Sequence, residues 1–222
     1  MPRQLTFDLP VRPALGREDF FVSPSNAEAV AMIDAPALWP QRKLLLIGPE
    51  GAGKSHLAEV FAHERQAMIV EGRSLFDPEI PPDAIVVEDA EAVAGRHEET
   101  LFHLHNRMAE AGGLLLLTAR RAPGEWGLRL PDLLSRMQGT AVATLNPPDD
   151  ALLGAVLVKL FADRQITVAP TLIVWLLRRM DRSFAAARRL VAELDARALS
   201  RGGAVTRALA AEVLDSGGSG AP

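Results

Sequence analysis

The octapeptide Gly48-Pro49-Glu50-Gly51-Ala52-Gly53-Lys54-Ser55 constrains this chain more than any other feature. It fits G-x-x-x-x-G-K-[ST] and lies between an apolar run, Leu44-Leu45-Leu46-Ile47, and a helical pattern that starts at Ser55. Strand, Gly-rich loop and helix in that order make a phosphate cradle. The glycines let the backbone curl, so the N–H groups around Gly48, Gly51, Ala52 and Gly53 point at phosphate oxygens. The helix N-terminus adds partial positive charge. Lys54 is expected to reach the β- and γ-phosphates, and the Ser55 hydroxyl to bind Mg²⁺.

The runs around the motif set the fold class. Leu44–Ile47, Met68–Val70, Ile85–Val87, Leu114–Leu117 and Val142–Leu145 read as five short apolar strands. Helical patterns separate them, notably Ser55–Arg65, Glu98–Ala111 and Leu133–Met137. Continuous apolar strands alternating with helices predict an α/β domain whose parallel sheet is covered on both faces. Asn146-Pro147-Pro148-Asp149 breaks this pattern. Beyond it only helical spacing remains, over Asp149–Arg164, Thr171–Met180, Phe184–Leu199 and Thr206–Leu214, with Asp149 and Thr206 placed as N-caps. The expected organisation is a terminal peptide over 1–16, a nucleotide-binding α/β domain over 17–147, a small helical lid over 148–215 and a disordered tail over 216–222.

Charge divides along the same line. Residues 151–222 hold ten Lys/Arg and six acids, whereas residues 1–150 hold fourteen and twenty-two, within a chain of net charge −4. That acidity argues against strong autonomous DNA binding. The chain lacks cysteine, so disulfide frameworks and thiolate chemistry are excluded. No apolar run is long enough to span a membrane. A soluble, cytoplasmic protein without a membrane partner is expected.

Ile85-Val86-Val87-Glu88-Asp89 ends a hydrophobic run in two acids about 35 residues after the cradle. Glu88 suits the Mg²⁺ position and Asp89 the general-base position. Glu88 is longer than the Asp more usual there, and slow hydrolysis is expected of it. Thr118 ends the fourth run, where a hydroxyl can contact the γ-phosphate or the attacking water.

Together these parts resemble an AAA+ P-loop domain with a five-stranded parallel sheet and a helical lid, and more closely the DnaA family of replication initiators. Asp19-Phe20-Phe21-Val22-Ser23-Pro24-Ser25-Asn26 resembles that family's entry segment beside the adenine, which implicates Phe21, Val22 and Asn26. Gly53-Lys54-Ser55-His56-Leu57 resembles its extended P-loop and brings in His56. Leu130-Pro131-Asp132-Leu133-Leu134-Ser135-Arg136-Met137 resembles the segment that carries its arginine finger, here Arg136. Asn146–Asp150 resembles the step into its lid. The nucleotide-sensing arginine of that lid aligns near Ala185; Arg182 and Arg188 stand three residues to either side.

Gln4-Leu5-Thr6-Phe7-Asp8-Leu9-Pro10 looks like a docking peptide for the DNA polymerase sliding clamp, with Leu5, Phe7 and Leu9 filling an apolar groove and Gln4 making polar contacts. No helix-turn-helix DNA-binding pattern follows the lid segment. The resemblance therefore implies a regulator that binds ADP or ATP with Mg²⁺, docks on the clamp, and stimulates ATP hydrolysis by a DnaA-type initiator through Arg136. Contact with DNA is expected to be indirect, and a homodimer is left open. The alternative is an AAA+ ATPase or helicase-loader type with its own turnover. A small-molecule kinase fits the Glu88-Asp89 pair and the lid poorly.

Two other groups are set aside. His97, His103 and His105 lack the i, i+4 spacing of a zinc pair, since residues two apart on a helix point about 200° from each other. Trp39, Trp126 and Trp175 are too scattered for a base-stacking platform.

Overall fold

The computed structural model describes residues 21–217. The Gln4–Pro10 peptide lies outside the described residues. Five strands, β1 (Lys43–Ile47), β2 (Met68–Glu71), β3 (Ala84–Glu88), β4 (Leu114–Ala119) and β5 (Ala141–Thr144), form one parallel sheet in the order β2-β3-β4-β1-β5. Every expected strand is present, within two residues of its expected ends.

Alternation along the strands feeds two apolar layers. Leu44, Leu46, Val86, Leu114 and Leu116 face α2 (Lys54–Arg65) and α1 (Ala27–Asp34), meeting Leu57, Phe61, Val30 and Ile33. Leu45, Ile85, Val87, Leu115 and Leu117 face α3 (Glu98–Ala111) and α4 (Pro131–Gln138), meeting Leu101, Leu104, Met108, Leu133 and Met137. Burial on both faces is why these strands carry no polar residue in every second position. Truncating one such leucine to alanine costs about 2–5 kcal/mol. The edge strands are less apolar in their surroundings: Met68 and Ile69 on β2 and Val142 on β5 stay partly exposed.

Helix α1 is absent from the sequence-based expectation. Asn26 stands at its N-cap position, and its C-terminal end is held by the Trp39 indole, which donates to Met32 O (2.6 Å) and stacks on Phe61 with ring centroids 5.3 Å apart.

After β5 the chain builds a separate four-helix core. Helices α5 (Asp150–Ala162), α6 (Pro170–Leu177), α7 (Phe184–Arg201) and α8 (Arg207–Gly217) enclose Leu157, Phe161, Leu176, Leu190, Leu194 and Val213. The Asp149 carboxylate accepts Leu152 N (2.8 Å), Ser183 Oγ accepts Ala186 N (3.1 Å) and Thr206 Oγ1 accepts Leu209 N (3.2 Å), each satisfying an orphan donor of a first turn. Helix α8 runs through Gly217, so Ser216 and Gly217, expected in a disordered tail, are helical. Ser216 accepts from Arg197 (2.9 Å), a contact from another helix that no local pattern announces.

Candidate nucleotide site

The sheet order creates the site. Strand β4 is inserted between β1 and β3, so Thr118 at the end of β4 stands between the loop that leaves β1 and the acids that end β3. Gly48 continues the ladder, donating N–H to Ala119 O (3.2 Å), and a Cβ there would lie 2.5 Å from Leu145 O. Gly51 and Gly53 turn the loop with φ of +77° and +97°, and α2 begins at the next residue, Lys54. The loop's N–H groups and the helix N-terminus therefore share one concave end of the sheet.

Lys54 is 8% exposed; its Nζ donates to Gly48 O (2.7 Å) and Pro49 O (3.0 Å). Burial lowers its pKa, with the nearby Asp89 and Glu91 carboxylates opposing that shift. Two backbone carbonyls thus hold the ammonium at the loop. Arg120, not singled out from the sequence, closes one side. Its guanidinium pairs with Glu50 (3.0 Å), and its N–H donates to Glu91 Oε1 (2.9 Å).

Glu88 ends β3, and the Ser55 hydroxyl hydrogen-bonds its carboxylate. Burial raises the Glu88 pKa, and its Oε1 is covered yet has no hydrogen-bond partner. A hydroxyl beside an under-satisfied carboxylate fits Mg²⁺, which takes one or two protein oxygens and completes its shell with water and phosphate. Asp89 adopts left-handed backbone angles (φ 47°, ψ 51°), and its N–H donates to Thr118 Oγ1 (3.1 Å). Thr118 is 1% exposed, so a buried hydroxyl pins the acid's backbone in a conformation that costs about 1–3 kcal/mol unsupported. Gly72 lies so close beneath that a Cβ would sit 2.4 Å from Asp89 O.

The entry segment and the lid approach the same end. Phe21 and Val22 are half exposed. Asn26 is buried, and its amide is spent on the chain, donating to Phe21 O (2.9 Å) and accepting from Ser23 N (2.8 Å). Its observed role is to shape this turn. Ser25 O accepts Asn146 N (3.2 Å), and Asp149 hydrogen-bonds Ser23 and Ser25, so the segment is tied to the step into the lid. At the start of α7, Ser183 and Phe184 rest on the cradle: a Cβ on Gly51 would meet Ser183 Cβ at 2.5 Å, and one on Gly53 would meet Phe184 Cε2 at 2.8 Å. These two residues escaped the sequence reading, which looked for a cation at this place. Ala185 is exposed, Arg182 pairs with Asp150 (2.7 Å), and Arg188 is exposed without a carboxylate partner among the described residues. His56 sits half-buried in the first turn of α2.

Arg136 lies elsewhere. It is exposed in the last turn of α4, forms no ion pair among the described residues, and its carbonyl accepts Thr140 Oγ1 (2.9 Å). Its charge acts on Lys43, at the start of β1, and on His105. The P-loop leaves the other end of β1, about 16 Å away for a five-residue strand. Arg136 therefore lies toward the end of the sheet opposite its own cradle. A carboxylate missed from the sequence positions its helix. Glu98 is 8% exposed and accepts N–H from Gly95 (2.7 Å), Arg129 (2.8 Å) and Leu130 (2.8 Å), the last two opening α4. Those donors hold its pKa below the usual carboxylate range against the opposing effect of burial.

His97 contacts Arg73 O (3.1 Å), His103 is exposed, and buried His105 accepts from Lys43 Nζ (3.1 Å). Among the described residues no cluster of His, Cys, Asp and Glu could hold a metal by itself, and no helix is long and apolar enough to cross a membrane.

No protein-family model matches the chain. It is 27% identical, over 80% of its length, to the chromosomal replication initiator protein DnaA of Sphingopyxis alaskensis, and spans about half (48%) of that relative. Domain III of the Thermotoga maritima replication initiation protein DnaA superposes with a TM-score of 0.78 at 20% identity, covering 94% of this chain and 98% of that one. AMPPCP-bound DnaA from Aquifex aeolicus gives a TM-score of 0.67 at 16% identity, covering 82% of this chain and 65% of that one. The chain has the α/β AAA+ fold, and its sequence similarity is to DnaA.

Proposed function

We propose that this DnaA-related AAA+ chain is a regulator of replication initiation of the kind represented by Hda: it binds an adenine nucleotide, docks on the DNA sliding clamp, and stimulates hydrolysis of ATP held by a DnaA-type initiator. The observation that carries the proposal is the placement of Arg136. An exposed arginine without a carboxylate partner, at the opposite end of β1 from its own cradle, suits a neighbour's nucleotide better than its own. A guanidinium at a transferring γ-phosphoryl group spreads the developing charge and is worth about 10³–10⁵ in rate.

The chain's own cradle then serves binding and shape. Its N–H groups and Lys54 would hold phosphates, and Ser55 with Glu88 would hold Mg²⁺, which neutralises phosphate charge when bound. Phe21 and Val22 would cover the adenine. AMPPCP bound to an Aquifex aeolicus DnaA of the same fold supports an adenine nucleotide as ligand. The Gln4–Pro10 peptide would raise local concentration at the clamp without joining the chemistry.

A second function keeps one observation in its favour. Asp89, pinned by Thr118 beside Lys54 and Glu88, is the full set that an ATPase with its own turnover needs. Hydrolysis of initiator-bound ATP, measured with and without DNA-loaded clamp, separates the two. The regulator requires stimulation that depends on clamp and disappears when Gln4, Leu5 and Phe7 become Ala. Rapid turnover by the purified chain alone, with no effect on the initiator, would establish the second function instead.

A further inference from the structure

Nine arginines lie in the lid, and they fall into two classes. Arg164, Arg182, Arg197 and Arg201 pair with Asp195, Asp150, Glu193 and Glu212. Arg178, Arg179, Arg188, Arg189 and Arg207 have no carboxylate within 4.0 Å among the described residues. Two of these, Arg179 and Arg207, lie against one tryptophan, and Arg178 precedes Arg179 in the chain. The Arg179 guanidinium lies 4.3 Å from the Trp175 ring centroid and that of Arg207 5.2 Å from it, while exposed Arg178 follows Trp175 by three residues at the end of α6. Asp181, the nearest acid along the chain, pairs with none of them.

We propose that Arg179 and Arg207, ordered on Trp175, form with the exposed Arg178 a docking surface for the phosphodiester backbone of nucleic acid. Guanidinium groups stacked on an indole lose less freedom when they bind, because the ring already restricts them. Guanidinium N–H forks match the paired oxygens of a phosphate, and the long, exposed bond from Arg179 to Trp175 O (3.5 Å) leaves the remaining Arg179 donors for one. Three like charges gathered without counter-charge also repel one another, a cost that a polyanion removes. The acidic front of the chain repels the same polyanion, so nucleic acid would approach from the lid side alone. The surface goes beyond the regulatory function above, in which DNA is met only through the clamp, and does not depend on it.

With so few phosphate contacts, binding is expected to be weak and steeply salt-dependent. About three contacts give a log–log salt slope near −3 for duplex and near −2 for single strands. The test is fluorescence anisotropy of the full chain on labelled duplex and single-stranded oligonucleotides of about 20 nucleotides, from about 50 mM salt upward. Saturable binding with those slopes is expected, with a loss of about tenfold or more in R178E/R179E/R207E. W175L keeps every charge, removes the stacking ring, and is expected to lose about threefold. It also keeps the proposal testable where the triple variant fails to fold. No binding at about 50 mM salt, or an equal loss in R188E/R189E, would overturn the cluster. Polyglutamate competing as well as DNA would assign the surface to an acidic protein and overturn the nucleic-acid proposal.

Discussion

Two buried lysines bracket β1, and their surroundings differ in kind. Lys54, just past the strand's end, is held by carbonyls of Gly48 and Pro49 and lies among the charges of Asp89 and Glu91. Lys43, at the strand's start, is 1% exposed, donates to neutral His105, and faces the positive charge of Arg136. The first lysine has carbonyl oxygens and carboxylates about it. Among the described residues the second has no carboxylate partner, and burial followed by Arg136 pushes the Lys43 pKa down to about 8. The same residue type past the end of one short strand and at its start thus marks a candidate ligand site in the first place and an electrostatically stressed packing site in the second. The free guanidinium of the proposed regulator stands at the stressed end.

The comparison breaks most sharply at Arg136. Arg136→Ala is expected to leave the fold and nucleotide affinity unchanged while stimulation of initiator-bound ATP hydrolysis falls by about 10³-fold or more. Normal stimulation by that variant would remove Arg136 from the chemistry. At the other end, Lys54→Ala is expected to weaken adenine-nucleotide binding by at least about tenfold in calorimetry, since one charge-assisted contact to phosphate is lost. Unchanged affinity would mean that Lys54 stays on its backbone carbonyls with nucleotide present.

A change in stability tests the carboxylate that holds the start of α4. Glu98→Gln keeps the shape of the side chain but replaces a charged acceptor of three N–H bonds. A loss of about 2 kcal/mol in denaturant unfolding is expected, together with weaker stimulation through Arg136. A variant as stable as the parent would show that the Leu130 and Arg129 donors find other acceptors.

The last effect is a slope. Burial, followed by the neighbouring Lys43 charge, holds His105 down to about 4, and Lys43 itself titrates near 8. Both groups are less protonated in the folded chain than their ordinary values of 6.5 and 10.5 dictate for the unfolded one. Stability therefore rises with pH across each window, from about 4 to 6.5 and from about 8 to 10.5, by at most about 1.4 kcal/mol per pH unit and group. Glu98, with its lowered pKa, adds acid sensitivity of the same sign. Comparing the parent with His105→Gln and with Lys43→Met isolates each term, and the variant is expected to be flatter in its own window. Equal slopes in parent and variant would place those protons elsewhere.

Much of this architecture is legible along the chain because it rests on local patterns. Five apolar runs became five strands, and the cradle, the caps at Asp149 and Thr206, and the bounds Glu98–Ala111 of α3 follow from residues close in sequence. Helix α1 escaped because its stabilising partner, Trp39, lies beyond its end and its packing partners lie on other elements. Ser183 and Phe184 escaped because nothing in their own segment shows that they rest on Gly51 and Gly53, more than a hundred residues earlier.

The sequence by itself determined the fold class, the phosphate cradle, the paired acids and the break into a helical lid, since periodicity and short motifs carry all of these. Only the tertiary structure decided which strands are neighbours. By placing β4 between β1 and β3 it put Thr118 against Asp89, and by folding α4 toward the start of β1 it brought the Arg136 charge to bear on Lys43. The physical reason is that an apolar run specifies burial, but not against whom. Partners are chosen by packing the whole sheet at once, and the charges at its two ends take their meaning from that choice.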